Sequence, residues 1–205
     1  MSDVQQRRAL ILEAADRLLR HYGPQKTTVA DVAREAGVGV GTVYLEFPSK
    51  DALVEALSRT RHGAVLDAMR RAAAADRPVA ERLTAALDAR LAAYLALAEE
   101  GAHACDLVHC VSAAVKSAQA SFHEEELALV VELLARGREA AELDVGEDVR
   151  AAARTVLRAY AIFTLPWLGG KDPEEVRRGQ QGMHQLVLCG LLRRAAKARG
   201  KAGRG

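Results

Sequence analysis

The segment GTVYLEFPSKDAL at residues 41–53 contains two hydroxyl groups and one ammonium group, besides the Ser49 hydroxyl, that could bind an anionic partner. They belong to Thr42, Tyr44 and Lys50, and such groups commonly hydrogen-bond to the phosphate oxygens of nucleic acids. At an isolated position Tyr44 would more often be half-buried packing and Lys50 a solvated surface charge. The spacing of the residues around them, from Thr28 to Leu53, favours the phosphate-binding interpretation.

The segment that begins at Thr28 carries the signals of a short helix. The Thr28 hydroxyl can accept a hydrogen bond from an early backbone N–H, and Asp31 lies near the positive end of the helix dipole. Because aspartate is shorter than the usual glutamate, we expect the reciprocal bond to Thr28 to be incomplete. Gly37 can end the helix in a left-handed conformation. The apolar residues between recur at helical spacing and predict one buried stripe, formed by Val29, Val32, Ala33 and Ala36.

A second short helix is predicted after the glycine turn. Gly39 can serve as its N-cap, and Val43 and Phe47 would form its inner face. The pair Pro48-Ser49 ends this helix and caps a third one, which begins at Lys50. Two short helices joined by a glycine turn form a helix-turn-helix, in which the second helix enters the major groove of DNA.

This block, together with the helical segment before it, closely resembles the TetR family of bacterial transcriptional regulators. The resemblance implies that Thr28 contacts phosphate at the start of the second helix. It also implies that Gly41, Thr42 and Tyr44 belong to the recognition helix and that Lys50 is the lysine that follows it. The resemblance is specific over this N-terminal part, and over the rest of the chain it rests only on length and helix count.

Three positions depart from the family pattern. Gly39 stands where serine or threonine is usual, Val40 where a polar or basic residue is common, and Glu46 where histidine often occurs. Glu46 could accept a hydrogen bond from a cytosine amino group, or it could repel phosphate. The preferred bases are therefore not readable from this helix. The predicted DNA-contacting residues are Thr28, Val40, Gly41, Thr42, Tyr44, Glu46 and Lys50.

Composition predicts a cytoplasmic protein that does not enter a membrane. The net charge is only +2, which argues against non-specific coating of nucleic acid. No stretch approaches the roughly 18 apolar residues that cross a bilayer, and the charged, amphipathic residues 4–22 do not form a signal peptide. The three cysteines are odd in number and lack the spacing of a disulfide framework, which indicates reduced thiols.

The pattern is helical throughout, and the predicted fold is all-α. We expect a three-helix DNA-binding domain at residues 1–49, a helical ligand-binding and dimerisation domain at residues 50–199, and a disordered basic tail at residues 200–205. About nine helices are predicted in total. Those of the second domain should span residues 50 to about 75, 78 to 100, a short stretch after 101, 121 to 140, 147 to 167, and 172 to 198.

The family resemblance implies a ligand pocket among the middle helices and a homodimer formed through the last two. Independent support for the dimer comes from residues 151–168, which are apolar on more than one predicted face. A helix that is apolar around most of its surface must be buried on two sides. The apolar residues concerned are Val156, Leu157, Tyr160, Ala161, Phe163, Leu165 and Trp167, followed by Val187, Leu188, Leu191 and Leu192 in the final helix.

The segment HACDLVHC at residues 103–110 gathers polar side chains in a predicted mid-chain helix. Cys105 and His109 are four residues apart, and His103 and Asp106 are three apart, so each pair would share a helix face. Three interpretations remain open. The segment could be a half-buried helix with packing cysteines and hydrogen-bonded histidines, it could contact an organic ligand, or it could bind a metal ion. Because one helix alone supplies too few donors, we predict neither a metal nor a cofactor.

Aromatic residues are scarce, and those of the second domain could line an apolar cavity together, although each alone is more often part of a core. The predicted effector-binding residues are Tyr94, His103, Cys105, Asp106, His109, Phe122, Phe163 and Trp167.

The function expected is that of a ligand-responsive regulator, a repressor released from a palindromic operator by a small, largely apolar effector. The alternative is a DNA-binding dimer without an effector, whose second domain serves assembly or a protein partner. A well-formed apolar cavity in the second domain would favour the first, and a solid core the second. An enzyme is not expected, because neither a Gly-x-Ser-x-Gly motif nor a phosphate-binding loop occurs.

Overall fold

The computed structural model describes residues 3–101, 103–109 and 112–192, and within these ranges every regular element is helical. This confirms the all-α prediction. The predicted tail and the end of the last predicted helix lie outside the described residues. The eight α-helices are α1 (Asp3–Lys26), α2 (Val29–Ala36), α3 (Val40–Glu46), α4 (Lys50–Ala73), α5 (Val79–Glu99), α6 (Ala113–Glu139), α7 (Val149–Ala159) and α8 (Pro173–Leu191). Two 3-10 turns are present at Ala104–Leu107 and Ala161–Phe163.

The buried apolar residues form two cores, and α4 contributes to both. The N-terminal core contains Ile11 and Leu19 of α1, Val43 of α3, and Leu53 and Leu57 from the beginning of α4. The second core contains the later part of α4 together with α5, α6, α7 and α8. The expected domain boundary at residue 50 therefore falls at the start of a helix that belongs to both cores.

The N-terminus of α2 carries a complete capping box, so the expectation that Asp31 is too short for it is wrong. The Asp31 N–H donates to the Thr28 hydroxyl at 3.2 Å, and the Thr28 N–H donates to the Asp31 carboxylate at 3.0 Å. Thr28 has an extended backbone, with φ −105° and ψ 163°. This conformation brings its N–H within reach of the shorter side chain. The hydrogen bonds from Thr28 lower the pKa of the Asp31 carboxyl.

The turn between α2 and α3 follows the sequence prediction closely. Gly37 adopts a left-handed conformation with φ 68°, and the Val38 N–H donates to the Ala33 carbonyl at 3.0 Å. Gly39 is the N-cap of α3, and Ser49 caps α4 by accepting from the Ala52 N–H. The predicted boundaries of the helix-turn-helix are confirmed.

The middle of the chain departs from the sequence prediction in two places. The helix α6 starts at Ala113, well before the predicted residue 121, because the Ser112 hydroxyl accepts from the Val115 N–H and caps it there. The short helix predicted after residue 101 is a single 3-10 turn. In contrast, α4 and α5 lie close to their predicted ranges.

The helix predicted for residues 147–167 ends at Ala159, and its description as apolar on two faces is wrong. The buried side of α7 is formed by Val149, Ala153 and Val156, whereas Arg154 and Arg158 are exposed. Beyond α7 the chain turns, so later apolar side chains pack into the same core from a different direction. The residue before Pro166 is disfavoured in a helix, so a helix could not have continued to residue 167 without interruption.

A buried ionic junction joins α1, α4 and α5. The Arg61 side chain of α4 is 8% exposed, and its Nε donates to Asp16 of α1 at 2.8 Å. Its Nη2 donates to Glu100, at the end of α5, at 2.9 Å. Arg20 lies 2.8 Å from Asp16 and completes the network. These hydrogen bonds between charged groups tie α1 to α4 and to the end of α5.

Candidate DNA-binding surface and effector-binding region

The recognition helix α3 separates its apolar side chains into an inner and an outer face. Val43 and Phe47 are 1% and 2% exposed and pack into the N-terminal core. Val40, Tyr44 and Leu45 are 43%, 49% and 85% exposed and point outward. Positions four residues apart lie on the same side of a helix, which explains the division. The outer face is therefore available to a partner outside the chain.

The other predicted phosphate-binding residues surround α3. Thr28 is exposed at the start of α2, and Thr42 is half-buried in α3. The Lys50 ammonium donates to the carbonyl of Pro24, at the end of α1. An ammonium group has three donors, so this bond leaves capacity for a phosphate oxygen. Sequence reasoning did not find the contact with Pro24, because the two residues are distant in the chain.

Glu46 does not join the outer face of α3, which conflicts with its prediction as a DNA-contacting residue. Its side chain is 9% exposed, and its carboxylate pairs with the Arg7 guanidinium at 2.8 Å. The Arg8 guanidinium donates to the Glu46 carbonyl and lies 4.1 Å from the centre of the Phe47 ring. Two arginines of α1 thus fix the end of α3. No local pattern in the sequence indicates these partners.

The segment at residues 103–109 lies against α1 and not in the interior of the second domain. A hydrogen bond of 2.8 Å joins Nδ1 of His103 to the Asp106 carboxylate, so the predicted proximity of this pair is confirmed. The same ring packs on Gly23, where an added Cβ would lie 3.0 Å from its Nδ1. The His103 N–H donates to the Arg20 carbonyl at 3.1 Å. Cys105 is half-buried and His109 is exposed, and the side chain of Cys110 lies outside the described residues.

Tyr94 and Phe122 lie in the second core, next to polar residues that sequence reasoning missed. The Phe122 ring stacks on the ring of His62, with centroids 4.7 Å apart. Arg90 and Glu126 form a buried ion pair with an N–O distance of 2.7 Å. Arg90 lies within the apolar stripe of α5. A charged residue within an apolar stripe could have indicated this buried ion pair from the sequence.

Burial changes the ionisation of this polar cluster. Burial, assisted by the positive charge of His123, lowers the pKa of His62 to about 4, although the backbone of Val108 opposes the shift. Burial raises the pKa of Tyr94 to about 12. Burial also raises the pKa of the Glu126 carboxyl, against the opposing charge of Arg90. His62 is therefore a neutral imidazole at pH 7, and it borders a cavity of about 120 Å³.

Phe163 and Trp167 lie in a third place, near the end of α7. Phe163 is buried beside Tyr160, whereas Trp167 is 60% exposed. The Tyr160 hydroxyl hydrogen-bonds to His184 of α8 at 2.6 Å, and His184 hydrogen-bonds to Asp88 of α5 at 2.8 Å. Burial acts to raise the pKa of the Asp88 carboxyl. The hydrogen bonds from His184 and Gln180 outweigh this effect and hold the pKa below its usual value.

The eight predicted effector-binding residues therefore do not line one cavity. The segment at residues 103–109 packs against α1, Tyr94 and Phe122 lie in the second core, and Phe163 and Trp167 lie beyond α7. Their assignment to an effector stays a prediction. A groove of about 800 Å³ lies elsewhere, between α1, α4 and α5 beside the ionic junction, and contains none of the eight. Its lining includes Leu12, Leu57, Val65, Ala93, Ala96 and Leu97. Among the described residues, we find neither a group of three metal-ligating side chains nor a helix that could cross a membrane.

The turn between α2 and α3, with the outward face of α3, defines a helix-turn-helix protein that carries a helical second domain. Residues 11–57 match the family model of the TetR family of bacterial regulatory proteins, and this match covers less than a quarter of the chain. The transcriptional regulator TtgR of Pseudomonas putida is 43% identical over 60 residues, 29% of this chain and 29% of that regulator. The match thus spans less than a third of this relative.

Solved structures extend the likeness to the whole fold. SmeT, the repressor of the Stenotrophomonas maltophilia multidrug efflux pump SmeDEF, has a TM-score of 0.69 and 20% identity over 99% of this chain and 98% of SmeT. FadR from Bacillus subtilis has a TM-score of 0.69 and 20% identity over 89% of this chain and 98% of FadR. At these identities the likeness shows the fold alone. The relatives are regulators, which agrees with the expectation that this chain is not an enzyme.

Replacing His62 by phenylalanine should reduce the loss of stability in acid. The pKa of His62 is about 4 in the folded state against about 6.5 in the unfolded state, so the unfolded state binds more protons between these values. The stability contributed by neutral His62 is complete above pH 6.5 and is lost as the pH falls towards 4. Between pH 7.5 and pH 5 the wild type should lose about 2 kcal/mol more unfolding free energy than His62→Phe. Urea unfolding at fixed protein concentration measures this difference.

The exposed His21 supplies the control for this experiment. The His21→Asn variant should keep the pH dependence of the wild type. Equal losses in the wild type and His62→Phe would contradict a buried neutral imidazole at position 62.

Proposed function

We propose that this protein is a transcriptional regulator that binds a two-fold symmetric DNA site through α3, and that it acts as a repressor. The observation that supports this most directly is the outward face of α3, held by a helix-turn-helix of the family's type. In such proteins the second helix lies in the major groove, and the two helices of a dimer meet grooves about 34–36 Å apart or a multiple of that distance. We assign phosphate contacts to Thr28, Thr42, Tyr44 and Lys50.

Gly41 supports the assignment of this face to DNA. A Cβ added at Gly41 would meet nothing within 4 Å, and the backbone there has no positive φ. Packing and backbone conformation therefore place no requirement for glycine at this position. Glycine inside a helix is less stable than alanine by about 1 kcal/mol. A DNA surface that approaches the backbone closely at position 41 would account for a glycine there.

Changing Gly41 to alanine should stabilise the fold and weaken DNA binding at the same time. We expect a gain of up to about 1 kcal/mol in unfolding free energy, and at least a tenfold loss of operator affinity. Tyr44→Phe removes one phosphate hydrogen bond and should cost roughly 5- to 10-fold, evenly across sequences. Gel-shift titration at fixed salt measures both effects.

Gly63 in α4 is the matched control, because a Cβ added there also meets nothing within 4 Å. Gly63→Ala should stabilise the fold without changing affinity for DNA. Unchanged affinity in both Gly41→Ala and Tyr44→Phe would show that α3 is not the DNA-contacting helix.

A homodimer formed through α8 is the second part of the proposal. The outward side of α8 carries Leu186, which is 72% exposed, between Gly182 and Gly190, where added Cβ atoms would meet nothing within 4 Å. Small residues around a large apolar side chain would allow the same helix of a second copy to approach closely and to cover Leu186. We assign residues 1–49 to DNA binding and residues 50–199 to dimerisation and, together with α1, to effector binding.

Leu186→Glu should convert the dimer to a monomer, because two carboxylates would have to be buried at the two-fold axis. Sedimentation at micromolar concentration should show the change of mass, and operator affinity should fall with it. Val4→Glu introduces the same change at an exposed position of α1 and should leave the mass unchanged. A Leu186→Glu variant that stays dimeric would exclude α8 as the interface.

The proposed effector is a small, largely apolar molecule. The groove between α1, α4 and α5 is the site that we assign to it, because this groove is large enough and has a mainly apolar lining. A volume of about 800 Å³ suits a small-molecule site, whereas the 120 Å³ cavity beside His62 is too small. Two relatives by fold provide the analogy, since the FadR structure contains stearoyl-CoA and a SmeT structure contains triclosan. The alternative is a DNA-binding dimer without an effector, and it is favoured by the shape of this groove, which is an open cleft and not an enclosed cavity.

The two possibilities differ in thermodynamic linkage. An effector that releases DNA must bind more weakly, by about 5- to 150-fold, when operator is present. Ala96→Trp should fill the groove from α5 and abolish this binding, and Ala92→Trp, at an exposed position on the same helix that does not line the groove, is the control. Calorimetry of a compound found by thermal-shift screening, with and without operator, measures the linkage. Equal affinities would favour the alternative.

A further inference from the structure

The recognition helix lacks the side chains that read bases by paired hydrogen bonds. Guanine is commonly read by arginine or lysine, and adenine by asparagine or glutamine, through bidentate contacts in the major groove. The sequence of α3 is VGTVYLE and contains none of these four residues. Its one charged side chain, Glu46, is held by Arg7 and is 9% exposed. Direct recognition by α3 must therefore rely on other chemistry.

The exposed groups of α3 are mainly apolar. Val40 and Leu45 are 43% and 85% exposed, and they lie on the outer face beside Gly41. Position 41 is one turn before Leu45 and directly follows Val40, so both side chains flank the place where a Cβ is missing. The backbone can approach a surface closely at this place. Leu45 is the most exposed of the apolar side chains of the helix.

The major groove offers one apolar group on its base edges, the C5-methyl group of thymine. G·C and C·G pairs lack this group, and an A·T pair carries it on the opposite strand. We propose that Val40 and Leu45 recognise thymine methyl groups, and that the DNA site of this protein is defined by T·A pairs beneath α3. This inference rests on the proposed DNA-binding function and names the chemistry by which that function becomes sequence-specific.

The size of the effect follows from apolar burial. Burying one methylene or methyl group contributes about 0.8 kcal/mol, which corresponds to about a fourfold change in a binding constant at 25 °C. Each half-site should therefore lose about fourfold in affinity for each contacted methyl group that is removed. A symmetric site with one such thymine per half-site should lose about 16-fold.

Uracil substitution tests the proposal, because uracil pairs with adenine as thymine does and lacks only the methyl group. Sites are first selected from a pool of random duplexes with the full-length protein. Each thymine of the selected site is then replaced by uracil, and affinity is measured by gel shift at fixed salt. We expect losses of about fourfold at one or two thymines per half-site and unchanged affinity at the others.

The Leu45→Ala variant completes the test. Leu45 is 85% exposed, so its replacement leaves the core intact. This variant should bind the thymine site more weakly than the wild type and should bind thymine and uracil at the contacted position equally. Tyr44→Phe, which loses a phosphate contact, is the matched control and should keep the wild-type preference for thymine.

Three results would overturn the inference. Wild-type protein could bind the uracil and thymine sites equally at every position, the selected half-sites could lack T·A pairs, or Leu45→Ala could keep the full preference for thymine. In each case specific binding persists and the proposed function stands. Failure to select any preferred sequence would overturn the proposed function as well, so the two failures are distinguishable.

Discussion

The arrangement of this molecule depends on one buried guanidinium. Arg61 of α4 meets Asp16 of α1 and Glu100 at the end of α5, and Arg20 closes the network. A buried charge that loses its partner destabilises a fold far more than a surface charge does, so these helices must remain in register for the charge to stay paired. Because α1 supports α2 and α3, the direction in which the recognition helix points is set by this junction.

The helix α4 carries this constraint from one core to the other. It starts at the Ser49 cap directly after α3, contributes Leu53 and Leu57 to the first core, and contributes Val65 and Met69 to the second. Packed side chains change position in discrete steps and do not deform continuously. A displacement of α4 against α5 would therefore move the DNA-binding module as a unit. The open groove lies between these same helices.

One ion pair and one chain of hydrogen bonds orient the helices of the second core. The Arg90–Glu126 pair joins α5 to α6, and the hydrogen-bonded chain from Tyr160 through His184 to Asp88 joins α7, α8 and α5. Apolar packing alone tolerates several alignments of such Ala- and Leu-rich helices. Buried polar groups are costly unless they meet their partners, so we infer that these contacts select one alignment and fix the outward side of α8.

The sequence by itself determined the helix-turn-helix and the all-helical class, because caps such as Ser49 and turns such as Gly37 act on residues only a few positions away. Even there the sequence did not indicate that Asp31 completes the capping box, because the distance that its side chain must span depends on the backbone angles of Thr28. Only the tertiary structure decided that Glu46 turns away from the recognition face and that the effector-binding residues scatter. These outcomes rest on partners distant in sequence, as with Arg7 and Glu46, and local periodicity carries no information about such pairs.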